Sequence, residues 1–381
     1  MTNNKSENLK EKYFVFVIGT RPELIKMAPV IKEFKENNLK TMVLTTSQHK
    51  ELLDMANKVF NIEFDIDLDI MKPDQDLFDI AINLLSKIKK VLNEISISVL
   101  FVQGDTSTAF LVALASFYIN KNIKIAHIEA GLRSFDKYQP FPEEINRKLI
   151  SHLADYHFAP TELSAQNLYN EGIKENVFIT GNTVVDALIS IQDKINKVDI
   201  SKYGVKEDEF ILVEVHRRES FGEPMVNIMK AIKELAILKD IKILFPVHYN
   251  PNVRKVAFEI LQDLKDKVYL IDPVDYLTML AFIKNAKLII TDSGGIQEEA
   301  PTFKTPVFVV RNVTERPEGI KDGFINIVSN QKDKIIESVL SNFNKKEELK
   351  KLNKPNPYGD GLASKRIFNI IVSRSLQSSL R

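Results

Sequence analysis

Short runs of β-branched and aromatic residues alternate along this chain with longer stretches whose apolar positions recur every three or four residues. The short runs fall at 13–18, 41–45, 98–102, 123–128, 178–180, 210–215, 241–245, 268–271, 288–291 and 307–310. They are apolar nearly throughout rather than alternating. That pattern predicts strands buried on both faces, hence parallel sheets covered by helices. Stretches 23–36 and 228–238 have the spacing of amphipathic helices, and a last helix is expected over 363–376, after NPYGDG. Ten strands are too many for one compact doubly wound sheet in a chain of 381 residues. The charged, strandless segment 192–209 (QDKINKVDISKYGVKEDE) is the cleanest break. The expected class is therefore α/β, with two Rossmann-like domains. The first covers 1–183, with helix 363–381 packing back on it, and the second covers 184–362. A ligand is expected in the cleft facing the carboxyl ends of both sheets.

Composition narrows the possible functions. Hydrophobic content of 44% and charged content of 27% describe an ordinary globular protein. With 52 basic and 51 acidic residues the net charge is +1, so no global field recruits nucleic acid or an anionic membrane. Affinity for a polyphosphate must come from local placement of charge. The chain contains no Cys, which excludes disulfides, thiol catalysis and Cys-ligated zinc. The start, MTNNKSENLKEKY, is polar, and no apolar run approaches the roughly 18 residues that span a bilayer. A cytoplasmic protein with no nucleic-acid or membrane partner is expected.

The most informative stretch is 291–301, TDSGGIQEEAP, which follows the apolar run AKLII. A strand ending in two glycines before a helix aims free backbone N–H groups, and the positive end of a helix dipole, at one point. A diphosphate suits that point, with Ser293, Gly294 and Gly295 as donors. Glu299, one turn on, can accept both hydroxyls of a ribose. The plainer alternative is a Gly-rich turn with a solvated acidic first turn.

Other chemistry gathers at strand ends. After the first strand come Gly19, Thr20, Arg21, Pro22 and Glu23, then a helix carrying Lys26. No GxGxxG follows any strand, which counts against a nicotinamide dehydrogenase. Asp105 follows the strand at 98–102, Glu129 the strand at 123–128, and Glu143 opens a helix in FPEE. Several carboxylates near a diphosphate are costly unless they bind metal or exchange protons. Exchange is the reading preferred here, because crowding and burial bring carboxyls toward working pH. N-caps and loop salt bridges are the structural alternative. In the second half, His216 and Arg217 follow 210–215, and His248 follows 241–245. His216 and Arg217 are expected on phosphate. The loop RNVTERPE, with Arg316, is rich in groups able to close over a nucleotide, and Tyr276 heads a helix within reach of a base.

With these residues assembled, the chain resembles the non-hydrolysing UDP-N-acetylglucosamine 2-epimerases. The resemblance runs through GTRPELIKMAP, QGDTST, HIEAGLRS, FPEEINR, TGNTVVDAL, HRRESFGEP, TDSGGIQEEAP, TERPEG and NPYGDGLAS, nearly the whole chain in order. It implies the two-domain GT-B fold, a homodimer, and interconversion of gluco and manno epimers without NAD or metal. It implies acid/base roles for Asp105, Glu129 and Glu143, with His216 beside them. It implies contacts to diphosphate and sugar from Arg21, Lys26 and His216, and Arg133 is expected, like Arg217, among the substrate contacts. Some bacterial members carry a second, activating UDP-sugar site, whose matching positions are Gln48 and His248.

Four departures bear on substrate and regulation. TGQH is replaced by Thr46-Ser47-Gln48-His49, and Ser220 stands where an amide is expected. Glu214 occupies a place expected to hold a small or hydroxyl residue, and Asp74 one where activated members present Arg. A 2-epimerase of UDP-N-acetylglucosamine is the favoured reading. A relative acting on another UDP-2-acetamido sugar, a GT-B glycosyltransferase and a silent UDP-sugar-binding module stay open.

Overall fold

In the computed structural model, residues 12–47, 50–72, 75–119, 122–311 and 314–378 are described. They form two compact units, one of Met1–Ser190 with Tyr358–Arg381, the other of Ile191–Pro357. The first unit therefore keeps helix Thr183–Ser190, past the break expected at 183/184. Asp186 on that helix accepts the backbone N–H groups of Ala363 and Ser364 and the Ser364 hydroxyl, which caps the last helix, Ala363–Ser378.

The first unit is built on a seven-stranded sheet of order β3-β2-β1-β4-β5-β6-β7. Its strands are β1 (Tyr13–Ile18), β2 (Thr41–Thr45), β3 (Ile66–Asp67), β4 (Ile97–Gln103), β5 (Lys124–Ile128), β6 (Tyr156–Ala159) and β7 (Val177–Ile179). Every neighbouring pair is parallel. Helices must therefore cover both faces, and the apolar strand centres are fully buried. On one face the Phe16 and Phe101 rings stack at 4.3 Å, and Phe34 of helix Arg21–Glu36 meets both edge-on. Phe368 of the last helix packs edge-on against Phe34 at 5.2 Å, which holds the returning chain on this unit.

The second unit is a six-stranded parallel sheet of order β10-β9-β8-β11-β12-β13. It comprises β8 (Phe210–Glu214), β9 (Lys242–Pro246), β10 (Val268–Ile271), β11 (Leu288–Thr291), β12 (Val307–Val309) and β13 (Ile325–Ile327). Its core joins these strands to helices Glu223–Leu238, Pro251–Leu261 and Lys332–Ser341. Strands β3, β6 and β13 are additions to the ten read from the pattern. β3 and β13 are too short to register, and β6 reads Tyr-His-Phe-Ala, a weak strand signal despite complete burial. Each sheet reverses its order of winding once, between β1 and β4 and between β8 and β11. Such switch points leave crevices at the carboxyl ends of the strands, where ligands of α/β proteins bind. Among the described residues no helix is long and apolar enough to cross a membrane.

Candidate active site

At the switch point of the first unit, the loop after β1 turns directly into helix Arg21–Glu36. Gly19 is needed there for close approach, since a Cβ would collide with the Thr108 and Thr46 hydroxyls. Buried Glu23 reaches back to accept the N–H groups of Gly19 (2.8 Å) and Thr20 (2.6 Å), while its other oxygen accepts the Thr106 hydroxyl. That box fixes the helix start. Arg21 is then exposed at the first helical position, and Lys26, one turn further, is buried.

Lys26 donates to Glu129, which follows β5, and the Asn182 amide donates to the same carboxylate oxygen at 3.1 Å. Glu129 holds a left-handed backbone (φ 67°) that only local over-determination maintains in a non-glycine residue. Asp105, after β4, receives the Arg147 guanidinium on its carboxylate and the Asn146 amide on its backbone carbonyl. Both donors lie on helix Glu143–Leu153, so Asp105 and Glu143 are gathered at the start of one helix. Arg147 also pairs with Glu144 (3.1 Å), whose oxygens accept the N–H groups of Ser134 and Phe135. Two of the three expected acids thus face cations. Lys26 and Arg147 are partners set by tertiary folding.

Beneath this loop, His127 lies fully buried on β5 with Nε2 2.7 Å from the Gly104 carbonyl, next to Asp105. Burial, reinforced by the neighbouring Arg133 and Arg147, lowers its pKa to about 3, so it is neutral and donates. Arg133 corrects a sequence expectation. Its side chain has no exposure and is bonded to both oxygens of Glu171, the Leu132 carbonyl and the Ser151 hydroxyl. It ties the sheet to helix Glu162–Asn170 and has no surface left to offer a ligand.

In the second unit, Ser293 caps helix Gly294–Glu299 without a side-chain cap bond, and its own N–H donates to the Thr291 hydroxyl at 2.9 Å. Two guanidinium groups converge over Gly294: a Cβ there would lie 2.7 Å from Arg316 Nη1 and 3.4 Å from Arg217 Nη2. Arg316 is held in place by Glu298 and Glu315. Glu315 is depressed well below the usual carboxylate range, because Arg316 and Arg311 outweigh its burial. Gly295 is exposed beside this turn. The arrangement concentrates positive charge at backbone donors, as an anion site requires. One turn on, the Tyr276 hydroxyl donates to Glu299 Oε1 at 2.9 Å, so the two expected nucleotide contacts are neighbours.

His216 follows β8 and shares this switch point. Its backbone N–H donates to Asp292 (3.0 Å), as do the Arg217 N–H and the Ser220 hydroxyl. Ser220, a departure from the expected amide, is thus an anchor for the buried Asp292. Glu214, His216 and Asp292 bring ligand-type atoms within 4.8 Å of one another. Asp292 already accepts those three donors, so the trio suits a hydrogen-bonded relay better than a metal site. Sequence reasoning missed Asn182, Arg147 and Asp292, because their partners are distant in the chain. His248 is exposed and stacks on His216, with ring centres 5.4 Å apart. Gln48, its expected companion, and Asp74 lie outside the described residues.

Two doubly wound units, one presenting carboxylates and the other a cationic helix-start turn followed by the Glu299 carboxylate, have the GT-B type of architecture of nucleotide-sugar enzymes. The family model for UDP-N-acetylglucosamine 2-epimerase matches residues 32–372. The UDP-N-acetylglucosamine 2-epimerase of Campylobacter jejuni is 43% identical over 97% of this chain and 100% of that protein. The crystal structure of the Neisseria meningitidis UDP-GlcNAc 2-epimerase bound to UDP-GlcNAc has a TM-score of 0.88 at 42% identity, covering 95% of this chain and 100% of that one. That of the Methanocaldococcus jannaschii enzyme in complex with UDP-GlcNAc and UDP has a TM-score of 0.82 at 36% identity, covering 95% and 99%. This chain belongs to the UDP-N-acetylglucosamine 2-epimerase family, and it is an isomerase.

Proposed function

We propose that the protein interconverts UDP-N-acetylglucosamine and UDP-N-acetylmannosamine in the cytoplasm, supplying N-acetylmannosamine units for a surface polysaccharide. The reading is supported by what each unit carries: the acids Asp105, Glu129 and Glu143 at strand and helix ends of the first, and the Arg217–Arg316 turn at Gly294 in the second. The C2 proton of the sugar is not adjacent to a carbonyl, so direct deprotonation would be prohibitively slow. Diphosphate at C1 is a good leaving group. Removal of the C2 proton places its electron pair in a C1–C2 double bond as the C1–O pair departs with UDP. The product is 2-acetamidoglucal, and re-addition of UDP with protonation from the opposite face inverts C2.

This scheme requires protonatable groups on the sugar and stabilisation of charge on the departing UDP. Prearranged dipoles and cations contribute most to the second requirement. Arg21, Lys26 and His216 are assigned to sugar and diphosphate, Arg217, Arg316, Ser293, Gly294 and Gly295 to diphosphate, and Glu299 to ribose. Neither a redox cofactor nor a metal has a step in the scheme. In deuterated water the product should carry deuterium at C2, and full retention of the original hydrogen would sink the elimination.

Another UDP-2-acetamido sugar as substrate is the second reading, favoured by the changes at Ser220 and Glu214. A panel of UDP-sugars followed by NMR separates the two. Starting from UDP-N-acetylmannosamine, little or no lag is proposed, since the sequence carries Asp74 where activated members present Arg. A homodimer is proposed as well, supported by large apolar side chains exposed on the first unit, Phe78 at 79% and Tyr118 at 71% among them. Light scattering gives its mass.

A further inference from the structure

The relay at the end of β8 contains a carboxylate that the proposed chemistry does not use. Glu214 Oε1 lies 2.5 Å from His216 Nδ1. Its other oxygen accepts the Thr291 hydroxyl at 3.1 Å, and that hydroxyl also donates to the Glu214 carbonyl at 2.6 Å. Thr291 ends β11, the strand paired with β8, so two adjacent strands fix where the carboxylate points. A carboxylate held on Nδ1 dictates the tautomer: Nδ1–H donates to Glu214, and Nε2 is the nitrogen left to meet a ligand.

We propose that Glu214 is a positioning residue that keeps His216 as an imidazolium, with its Nε2–H directed to the diphosphate as UDP departs. The inference rests on the reading that His216 meets the diphosphate. As the C1–O bond breaks, its electron pair moves to the diphosphate. The imidazolium retains its proton and donates a hydrogen bond to the oxygen that gains charge. A neutral imidazole with a free Nε2 lone pair would instead repel that oxygen.

The groups facing His216 from each neighbouring element agree with this role. Glu214 ends β8, Asp292 follows β11 with Oδ1 3.9 Å from Nδ1, Arg217 is the next residue, and His248 stacks on the ring from the loop after β9. Burial works against the charged ring, as does Arg217. The Glu214 bond and charge, with Asp292 behind them, outweigh these, and the His216 pKa is raised above its ordinary value. His248 is pushed down, by burial first and by His216 next, so the cation of the pair resides on His216.

The test follows the His216 ring directly. Titration of 13C-labelled histidine by NMR, in the wild type and in Glu214→Gln and Glu214→Thr, reads its protonation in the intact protein. Both variants should lower the His216 midpoint by about one pH unit or more, the scale of losing an adjacent opposite charge. The alkaline limb of kcat/KM for UDP-N-acetylglucosamine should move down with it, and kcat should fall more than KM rises. An unmoved midpoint in either folded variant overturns the proposal. Addition of UDP to the wild type tests the underlying reading separately. A His216 signal blind to UDP removes the diphosphate contact, whereas a responsive signal with an unmoved midpoint removes only the role of Glu214.

Discussion

Lys26 and Glu129 form an ion pair inside the first unit, with only 9% and 6% of their side chains exposed. One comes from the helix after β1 and the other from the loop after β5, so the pair spans the carboxyl edge of the sheet. Two charges taken out of water at that depth are tolerable only together. Lys26→Met should therefore cost about 3 kcal/mol or more of unfolding free energy, and adding Glu129→Gln should recover part of it. Urea denaturation of the two single variants and the double variant measures the coupling. Additive losses would mean that the pair does not hold the edge together.

Asp105→Asn and Glu143→Gln should each lower kcat at least about a hundredfold, the scale of removing an acid or base. UDP affinity by calorimetry should stay within a few-fold, because these groups are assigned to the sugar. A variant with near-normal turnover would return that residue to the role of a cap or salt bridge. For Asp105 that role is already visible in its bond to Arg147.

Glu299 and Tyr276 make a sharper distinction within the nucleotide. If Glu299 reads the ribose, Glu299→Gln should weaken UDP about tenfold, the scale of one hydrogen bond to a charged group. It should weaken 2′-deoxy-UDP much less. Tyr276→Phe removes the donor that orients Glu299 Oε1 and should reproduce a fraction of that effect. Equal weakening of both nucleotides in Glu299→Gln would move the carboxylate away from the 2′-hydroxyl.

His127 links acid stability to the Asp105 loop. Its folded pKa is about 3 and its ordinary value 6.5, so between those values the unfolded chain takes up a proton that the folded chain refuses. Its contribution is complete above pH 6.5 and is lost as the pH falls, by up to roughly 1.4 kcal/mol per pH unit. His127→Gln should consequently be more destabilising at pH 7 than at pH 5. Urea midpoints at both pH values check this. A gap that does not narrow on acidification would mean that the ring is not buried neutral.

Much of this protein was legible in one dimension, because burial on both faces writes apolar runs into parallel strands and a helix-covered sheet follows. The strand-end positions of Asp105, Glu129, His216 and Ser293 came with that pattern, since sites of doubly wound sheets lie where strands end. Local signals failed at β3, β6 and β13, where strands are short or carry His and Ala, and tertiary pairing supplied what propensity lacked. Side-chain partners were beyond the pattern altogether. Arg133, Arg147 and Lys26 look alike on paper, yet one is enclosed by Glu171, one holds Asp105, and one holds Glu129. Only folding decides which carboxylate a guanidinium or ammonium meets, because those partners stand 38, 42 and 103 residues apart. Even Glu214 and His216, two residues apart, required Thr291 of the adjacent strand to aim the carboxylate at the ring. Periodicity therefore determined the two sheets and the edge at which chemistry gathers, whereas the pairing of charges there is a property of the tertiary structure, since it depends on distances that no local pattern encodes.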